Sequence, residues 1–345
     1  MEKIDFVITW VDGSDPEWLA EKNRFEKNGF CETTSEEANS ECRYRADKKL
    51  LRYWFRSVEK FAPWVNKIHF VSCGQKPEWL NEEHPKLNLV NHKDFIPEQY
   101  LPTFNSRPIE LNLHRIDELS EHFVLFNDDV FLLQQLEPDF FFKEGNPALV
   151  TDLKYTRFVG YNNWSRVLFN DYCVLNEHFD MGKQIWLNRK KWFDVSALGL
   201  KRTRQNLMCY LANKSLPVGT NAHLSYPNLK STLETLWEVE NDVLDETCKC
   251  KFRSDNQVNV YLLSAWNQAM GKFFPVHEKN RGMFFQICPQ DIENIVAVIK
   301  YKQFPQICLN DSPLNELVDE SRKAIAEAFE SNFPEKSSFE KQCIG

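Results

Sequence analysis

Short runs of apolar and β-branched residues alternate with segments of helical periodicity over the first 130 residues, and this alternation constrains the fold more than any other feature. A strand, helix, strand order favours parallel pairing, because the helix carries the chain back to the same end of the sheet. The sequence therefore predicts an α/β fold, with a Rossmann-like, mainly parallel sheet flanked by helices. The predicted elements are strands at 4–11, 67–72, 87–90 and 122–126 and helices near 46–62 and 108–120.

The alternation stops in the middle of the chain. Residues 145–215 are rich in Asn, aromatic and basic residues, and seven basic residues stand against one acid between Lys183 and Arg204. We interpret 1–144 together with 216–345 as an α/β core, and 145–215 as a helical or irregular insertion. A solvated helical face is the ordinary explanation of the basic run, and contact with an anionic polymer or with membrane lipid is the alternative. Helices are predicted again at 227–239, 255–270 and 314–331.

Glycine scarcity and net charge exclude several classes of protein. Only 11 of the 345 residues are Gly, which is about half of the usual share of roughly 7%. The sequence contains neither a phosphate-binding loop with Gly-Lys-Ser/Thr nor the three spaced glycines of a dinucleotide-binding turn. The formal net charge of −8 provides no general attraction to nucleic acid. If the protein binds phosphate, side chains and a metal ion must do so.

The sequence favours a cytoplasmic protein. We find no apolar run of about 18 residues that would span a bilayer, and Glu2 and Asp5 lie where a signal peptide needs an apolar segment. The ten cysteines are scattered, unlike the dense framework of a small secreted domain, so we expect reduced thiols. Cys248 and Cys250 lack a second pair or a His at zinc-finger spacing, and we interpret them as structural.

Carboxylates follow two of the predicted strands. Asp12 follows the first strand, and Asp128 and Asp129 follow the strand at 122–126. Because the carboxyl ends of parallel strands meet at one edge of a sheet, these side chains are candidates for holding a divalent cation against a diphosphate. An Asp-Asp pair is also common in turns and helix caps, so the pair alone does not decide the function.

Four stretches of sequence, taken in order, carry more information than any single residue. The first is IDFVITWVDGSDP at 4–16, and the second runs from 43 to 132 and includes LRYWFRS, APWV, LPTFNS and NDDV. The third combines Ala222-His223-Leu224 with Arg253 and the nearby Asp255 and Gln257. The fourth is Cys308-Leu309-Asn310-Asp311, followed by a closing helix at 324–334.

These stretches resemble the Stealth family of hexose-1-phosphate transferases, which includes bacterial capsular polysaccharide phosphotransferases and the catalytic part of the animal N-acetylglucosamine-1-phosphotransferase. The resemblance implies an enzyme that transfers a sugar-1-phosphate from a UDP-sugar, such as UDP-GlcNAc or a similar UDP-hexose, to a hydroxyl of an acceptor glycan, with release of UMP. The product would be a phosphodiester in capsule or cell-surface polysaccharide. The resemblance also implies Mg²⁺ or Mn²⁺ as cofactor, and we expect the core to be catalytic and the insertion to be a candidate for binding acceptor or polymer. Peripheral association with a capsule-assembly complex, at the inner face of a bacterial membrane, is a further expectation.

The resemblance assigns site residues position by position. Within the catalytic group, either His223 or Asp129 is the candidate base, and Arg253 is the candidate for binding phosphate. The sequence departs from the family at Arg107, where related sequences often have a smaller or neutral residue, and we interpret this as a mark of a different sugar or acceptor. The expected residues are Glu110, Asp129, His223 and Arg253 in the catalytic centre; Asp128, Asp129, Asn310 and Asp311 around the metal; and Trp10, Asp12, Gly13, Arg56, Asn105 and Ser106 at the donor.

Two other functions remain open at this point. A metal-dependent glycosyltransferase would use the same acid pair, but the acceptor would attack the anomeric carbon and UDP would leave. A glycan-binding or assembly protein without catalysis would bind donor or polymer without turnover. The released nucleotide distinguishes these hypotheses, because sugar-1-phosphate transfer alone releases UMP.

Overall fold

A computed structural model describes residues 2–28, 39, 44, 50–154, 163–212, 218–219, 223–311 and 319–342. Its strands are β1 Ile4–Thr9, β2 Ile68–Ser72, β3 Leu87–Asn91, β4 His122–Phe126, β5 Val130–Leu132, β6 Phe142–Lys143, β7 Asn146–Val150, β8 Leu153–Lys154, β9 Val218–Gly219, β10 Tyr226–Leu229, β11 Phe274–Val276, β12 Met283–Gln286 and β13 Gln306–Asn310. Its helices are α1 Pro16–Lys27, α2 Leu51–Phe61, α3 His92–Phe95, α4 Ser106–Leu111, α5 Asn163–His178, α6 Met181–Leu187, α7 Arg189–Trp192, α8 Val195–Ala212, α9 Lys230–Val239, α10 Asn241–Lys249, α11 Tyr261–Ala269, α12 Ile292–Tyr301 and α13 Asp319–Asn332.

A five-stranded sheet forms the centre of the protein, in the order β10-β4-β1-β2-β3. β1 pairs in parallel with β2 and β4, β2 pairs in parallel with β3, and β10 is antiparallel to β4. Every residue of β2 and β4 is buried, which explains their continuous apolar character, since strands covered on both faces have no polar alternation. The predicted α/β class is confirmed, and the Rossmann-like topology stays a prediction.

A second sheet brings the C-terminal part of the chain to the acid pair. Its order is β12-β13-β5, with β13 antiparallel to β5 and Cys308 opposite Val130. Because β5 begins directly after Asp129, β13 continues alongside that turn, and the Leu309 amide donates to the Asp129 carbonyl at 2.8 Å. The end of β13 is therefore fixed beside the end of β4.

Two predicted helices are shorter than expected. The helix predicted at 108–120 is α4 only, because the Asn112 side chain donates to the Pro108 carbonyl at 2.8 Å and replaces the backbone donor that would continue the helix. A 3₁₀ turn at Leu113–Arg115 follows. The helix predicted at 255–270 is α11.

The helix predicted at 227–239 begins three residues later than expected. Its first residues belong to β10, where Pro227 lies opposite Val124. β10 lies at the edge of the sheet, where a residue without a backbone N–H is tolerated. The sequence-based prediction was wrong here because proline at a helix start and proline in an edge strand look alike in the sequence.

Residues 163–212 form four helices, α5 to α8, of which α5 and α6 pack against α11. β7 pairs with β11, which lies far later in the chain. The division into a core and an insertion at 145–215 stays a prediction. Parts of the predicted helices at 46–62 and 314–331 lie outside the described residues. Among the described residues, no helix combines the length and the hydrophobicity that crossing a bilayer requires.

Candidate active site

A cavity of about 660 Å³ opens at the carboxyl ends of β1 and β4. Its wall includes residues that immediately follow these strands, the start of α4, and the end of β13. Polar groups from distant parts of the chain therefore meet where open α/β sheets ordinarily bind ligands. The predicted site residues in the wall are Trp10, Asn105, Ser106, Glu110, Asp128, Asp129, His223, Arg253, Asn310 and Asp311.

Beside the cavity lies what we call the Asp129 cluster, which consists of Asp129, His223 and Cys308. One ligand atom from each of these three side chains lies within 4.8 Å of the other two. His223 Nε2 is 3.8 Å from Asp129 Oδ2. Burial, and then the neighbouring Asp129, raise the pKa of the Cys308 thiol well above its ordinary value. Cys308 is therefore a protonated thiol at neutral pH in the absence of a metal.

Two tyrosines orient the His223 ring. His223 Nδ1 lies 2.9 Å from the Tyr226 hydroxyl and 3.1 Å from the Tyr261 hydroxyl, and the hydroxyls are 3.2 Å apart. Nε2 lies 3.2 Å from the Asn127 amide nitrogen. Burial raises the pKa of both tyrosines, so their hydroxyls keep their protons. The ring is held from one side by these hydroxyls and presents Nε2 toward Asp129.

A second group in the cavity wall consists of Arg253, Ser106 and Glu110. Arg253 Nη2 donates to Ser106 Oγ at 3.2 Å, and the Arg253 amide donates to Asn39 Oδ1 at 3.0 Å. Glu110 is buried, and the loss of water raises its pKa, while the nearby Arg253 opposes that rise. The Arg253 guanidinium and the Glu110 carboxyl, whose pKa rise Arg253 partly offsets, thus face the same cavity.

Side chains from the start of α4 hold the loop that carries Arg253. The Asn105 amide donates to the Phe252 carbonyl and to Gln257 Oε1, both at 3.2 Å. Arg107 is buried and donates to the Ser254 carbonyl at 2.9 Å and to Gln257 Oε1. These contacts assign Arg107 a structural task on the loop. Its suggested effect on sugar or acceptor choice stays a prediction.

Four oxygen-bearing side chains near the Asp129 cluster fit a hard divalent cation. Asp128, Asp129, Asn310 and Asp311 all line the cavity, and Asp129 Oδ1 is buried without a hydrogen-bond partner among the described residues. Asp311 lies 3.3 Å from the Arg322 guanidinium. Carboxylate and amide oxygens are ligands that suit Mg²⁺, whereas a thiol suits softer metals. The residue types therefore suit the expected cofactor, but among the described residues the His, Cys and carboxylate ligand atoms that lie within 4.8 Å of one another are those of Asp129, His223 and Cys308.

Comparison with known proteins decides the family. Family models match residues 2–29 as Stealth conserved region 1 and residues 43–149 as Stealth conserved region 2. The capsular polysaccharide phosphotransferase WcwK of Streptococcus pneumoniae is 40% identical over 342 residues, which cover 99% of this chain and 100% of that protein. The chain belongs to the Stealth family. It is a phosphotransferase.

Two further relatives agree with this assignment. The receptor polysaccharide phosphotransferase WefC of Streptococcus gordonii is 39% identical over 342 residues, or 99% of each chain. The capsular polysaccharide phosphotransferase CpsJ of Streptococcus thermophilus is 45% identical over 192 residues, which are 56% of this chain and 79% of that protein. The resemblance identified from the sequence is confirmed.

Within this Stealth protein, the predicted donor residues Asp12 and Gly13 do not line the cavity, but Gly13 contacts Tyr44, which does. Asp12 accepts from the Ser14 hydroxyl at 2.6 Å, and the Gly13 amide donates to the Tyr44 carbonyl at 2.9 Å. A Cβ at position 13 would lie 2.1 Å from that carbonyl oxygen. The absence of a side chain at Gly13 therefore permits the approach of Tyr44, which lines the cavity.

Arg56 is a correction to the predicted donor pocket of this Stealth protein. Arg56 does not line the cavity. Its buried guanidinium donates to Glu340 at 2.6 and 3.0 Å and to the Phe333 carbonyl at 2.6 Å. Its partners lie more than 270 residues away in the sequence, so the pairing is invisible without the fold. Arg56 anchors α2 to the C-terminal part of the chain.

Sequence reasoning missed Tyr226, Tyr261 and Asn39, and it quoted Cys308 without a role. Tyr226 is three residues after His223, and this proximity was the one signal available for it. Tyr261 and Asn39 gave no comparable signal, because each reaches its partner only through long-range packing. The sequence places Cys308 in a motif, but only the pairing of β13 with β5 places its thiol beside Asp129.

Proposed function

We propose that this protein transfers a sugar-1-phosphate from a UDP-sugar, such as UDP-GlcNAc or a similar UDP-hexose, to a hydroxyl of an acceptor glycan. The acceptor oxygen bonds to the sugar-side phosphorus, the bond from that phosphorus to the bridging oxygen breaks, and UMP leaves with that oxygen. The names of the relatives support a role in the synthesis of capsular or other cell-surface polysaccharide.

One observation carries the proposal. Glu110, Asp129, His223 and Arg253, which are spread over more than 140 positions of sequence, line one cavity. Phosphoryl transfer requires positioned cations around the phosphate oxygens and a group that accepts the acceptor proton. Arg253 supplies a fixed cation, and His223 lies beside a carboxylate that would stabilise its protonated form. This combination suits attack at phosphorus.

The proton of the acceptor hydroxyl has two candidate destinations. One is His223 Nε2, and the other is Asp129 Oδ2, which lies 3.8 Å from that nitrogen. In the first case Asp129 stabilises the imidazolium, and in the second His223 hydrogen-bonds to a phosphate oxygen. We favour His223 as the base, because the tyrosine hydroxyls fix its ring orientation.

We further propose that Mg²⁺ or Mn²⁺ is required. Asp128, Asp129, Asn310 and Asp311 would hold the ion, and a bound ion would offset the negative charge of the diphosphate. These carboxylates would otherwise repel the diphosphate of the donor.

Identifying the released nucleotide tests the proposal. Purified protein is incubated with a panel of UDP-sugars, a mixture of glycan acceptors and Mg²⁺, and the nucleotide and product are identified by mass spectrometry. UMP together with a product that contains phosphorus supports the proposal. UDP together with a phosphorus-free product identifies a glycosyltransferase and overturns it. A parallel reaction with chelator tests the metal requirement, and restored turnover after added Mg²⁺ supports it.

A further inference from the structure

The exposed face of α8 is apolar. Leu200, Leu207, Met208 and Leu211 are 74%, 42%, 59% and 64% exposed. The backbone of α8 is kinked at Gly199 (φ 74°, ψ 157°), and in the helical stretch that follows, spacings of seven, eight and eleven residues place all four on one face. Helices on protein surfaces normally turn polar residues outward, so this stripe has the opposite pattern.

The orientation of α8 is fixed by its buried face. The Asn206 amide donates to the Thr151 carbonyl at 2.7 Å and to the Trp192 carbonyl at 2.9 Å. Tyr210 is buried on the same side. The apolar stripe cannot turn inward without breaking these buried hydrogen bonds, so it is a permanent feature of the surface.

α6 extends the apolar stripe. Trp186 and Leu187 are both more than half exposed, and the Trp186 ring stacks on Tyr210 with the ring centroids 6.3 Å apart. The Arg189 guanidinium lies 5.3 Å from the centre of the Trp186 ring. α6 therefore lies against α8 through Trp186 and the buried Tyr210, and we call the exposed residues Trp186, Leu187, Leu200, Leu207, Met208 and Leu211 together the apolar patch.

Exposed cations surround this patch. They are Lys183, Arg189, Lys190, Lys201 and Arg204, and Arg204 lies on the same helix face as the stripe. Two other basic residues of this segment are bound internally: Lys191 Nζ donates to the Gly271 carbonyl at 2.7 Å, and Arg202 lies 3.2 Å from Asp152. The local positive charge contrasts with the net charge of −8 for the whole chain.

We propose that the apolar patch and its five cations dock the protein onto a bilayer that contains anionic phospholipid. Apolar side chains that insert among acyl chains, flanked by Lys and Arg at the headgroup level, are the pattern of an interfacial helix. A second copy of this chain would bring like charges together, and an anionic polymer would leave the apolar stripe exposed to water. A lipid surface would bury the apolar side chains and pair the cations with anionic headgroups.

Vesicle sedimentation tests the proposal independently of catalysis. Full-length protein is mixed with vesicles of phosphatidylcholine alone or with phosphatidylglycerol, and bound and free fractions are measured. We expect binding only to the anionic vesicles, and weaker binding when salt is raised from about 0.1 M to about 0.5 M. Lys201→Gln combined with Arg204→Gln should lower the partition coefficient about 30-fold. Leu207→Ser, Met208→Ser and Leu211→Ser together should lower it at least about tenfold.

Tyr301→Ser is the matched control, because Tyr301 is 75% exposed on α12, outside the patch. Its binding should equal that of the wild type, and thermal melting checks that every variant is folded. Absence of binding to anionic vesicles overturns the proposal, as does full binding by the Leu207, Met208 and Leu211 triple variant. Dimerisation that the triple variant abolishes, without vesicle binding, would assign the patch to a second copy. Retention of acidic polysaccharide but not of vesicles would assign it to polymer. None of these outcomes bears on the nucleotide released in catalysis.

Discussion

Two groups in the wall of the active-site cavity, the Asp129 cluster and the Arg253 loop, are held in different ways. Asp129 and Cys308 lie at neighbouring strands, so their positions follow from backbone pairing between β5 and β13. Arg253 lies on a loop, and side chains hold that loop: the Asn105 amide, the Arg107 guanidinium and the Gln257 amide. Main-chain hydrogen bonds thus fix Asp129 and Cys308, whereas Arg253 depends on a side-chain network that single substitutions can loosen.

α5 adds a second support to the Arg253 loop. The Asn170 amide donates to the Asp255 and Gln257 carbonyls, both at 2.9 Å, and Asp171 accepts from the Asn259 amide at 3.0 Å. α5 also contributes Trp164 and Val167 to the cavity wall. The segment between the two parts of the predicted core therefore helps to position a candidate catalytic group.

Arg253→Lys should show the largest effect. We expect kcat/KM to fall about 100- to 1000-fold, because a lysine offers one point of charge where the guanidinium offers a fork for phosphate oxygens. Steady-state UMP release measures the effect. Arg24→Lys, at a side chain that is 68% exposed on α1, is the control and should behave as wild type. Near wild-type turnover in folded Arg253→Lys would remove Arg253 from the mechanism.

Glu110→Gln should lower kcat/KM about 100-fold, because it removes the carboxylate beside Arg253. Burial raises the pKa of Glu110 above 4.5, so wild-type activity that depends on the carboxylate should begin to fall at a higher pH than for an exposed Glu. A pH–rate profile measures this, and the Gln variant should lack that acidic limb. An unchanged acidic limb would show that Glu110 does not act in its ionised form.

The same substitution should change how stability depends on pH. Since its pKa is raised in the folded protein, Glu110 contributes stability below its ordinary pKa of 4.5, and this contribution is lost as pH rises through the folded value. Glu110→Gln should therefore be more stable relative to wild type at about pH 7 than at about pH 4. Thermal melting at both pH values gives the comparison. An equal difference at both would contradict the assigned direction.

Tyr226→Phe combined with Tyr261→Phe tests how the His223 ring of the Asp129 cluster is held. We expect kcat to fall about tenfold with little change in KM, because His223 loses both partners of Nδ1 while the cavity keeps its shape. Each single variant should lose less than half of that effect on a logarithmic scale, since one hydroxyl remains. Tyr301→Phe is the exposed control. Equal loss in either single variant and the double variant would show that one hydroxyl alone positions the ring.

Asn170→Ala, which removes a support of the Arg253 loop, should show the smallest effect. Removing two hydrogen bonds to loop carbonyls should cost about 1–2 kcal/mol of stability and lower kcat about threefold, because Asn105 and Arg107 still hold the loop. Chemical denaturation and UMP release measure the two effects. Asn280→Ala, at an exposed position, should change neither. A loss as large as that of Arg253→Lys would mean that α5 is the principal support.

The sequence predicted the strands that position Asp129 better than the contacts that hold the Arg253 loop. β1, β2 and β4 were predictable because buried parallel strands leave an apolar run, and the acid pair follows β4 directly. The network of Asn105, Arg107 and Gln257 was not predictable, since its members pair across about 150 positions and polar residues carry no periodic signal. Arg56 was misassigned for the same reason.

The pairing of β13 with β5 has a consequence for synthesis of the protein. A ribosome releases the chain from its amino end, so β1 to β4 and the acid pair emerge long before Cys308 and the residues that flank it. β1 to β4 can therefore pair before the part of the cavity wall that β13 supplies has been made. The cavity wall is therefore completed only once β13 has been translated, and a chain that stalls before β13 would lack Cys308 and Asn310 beside the acid pair.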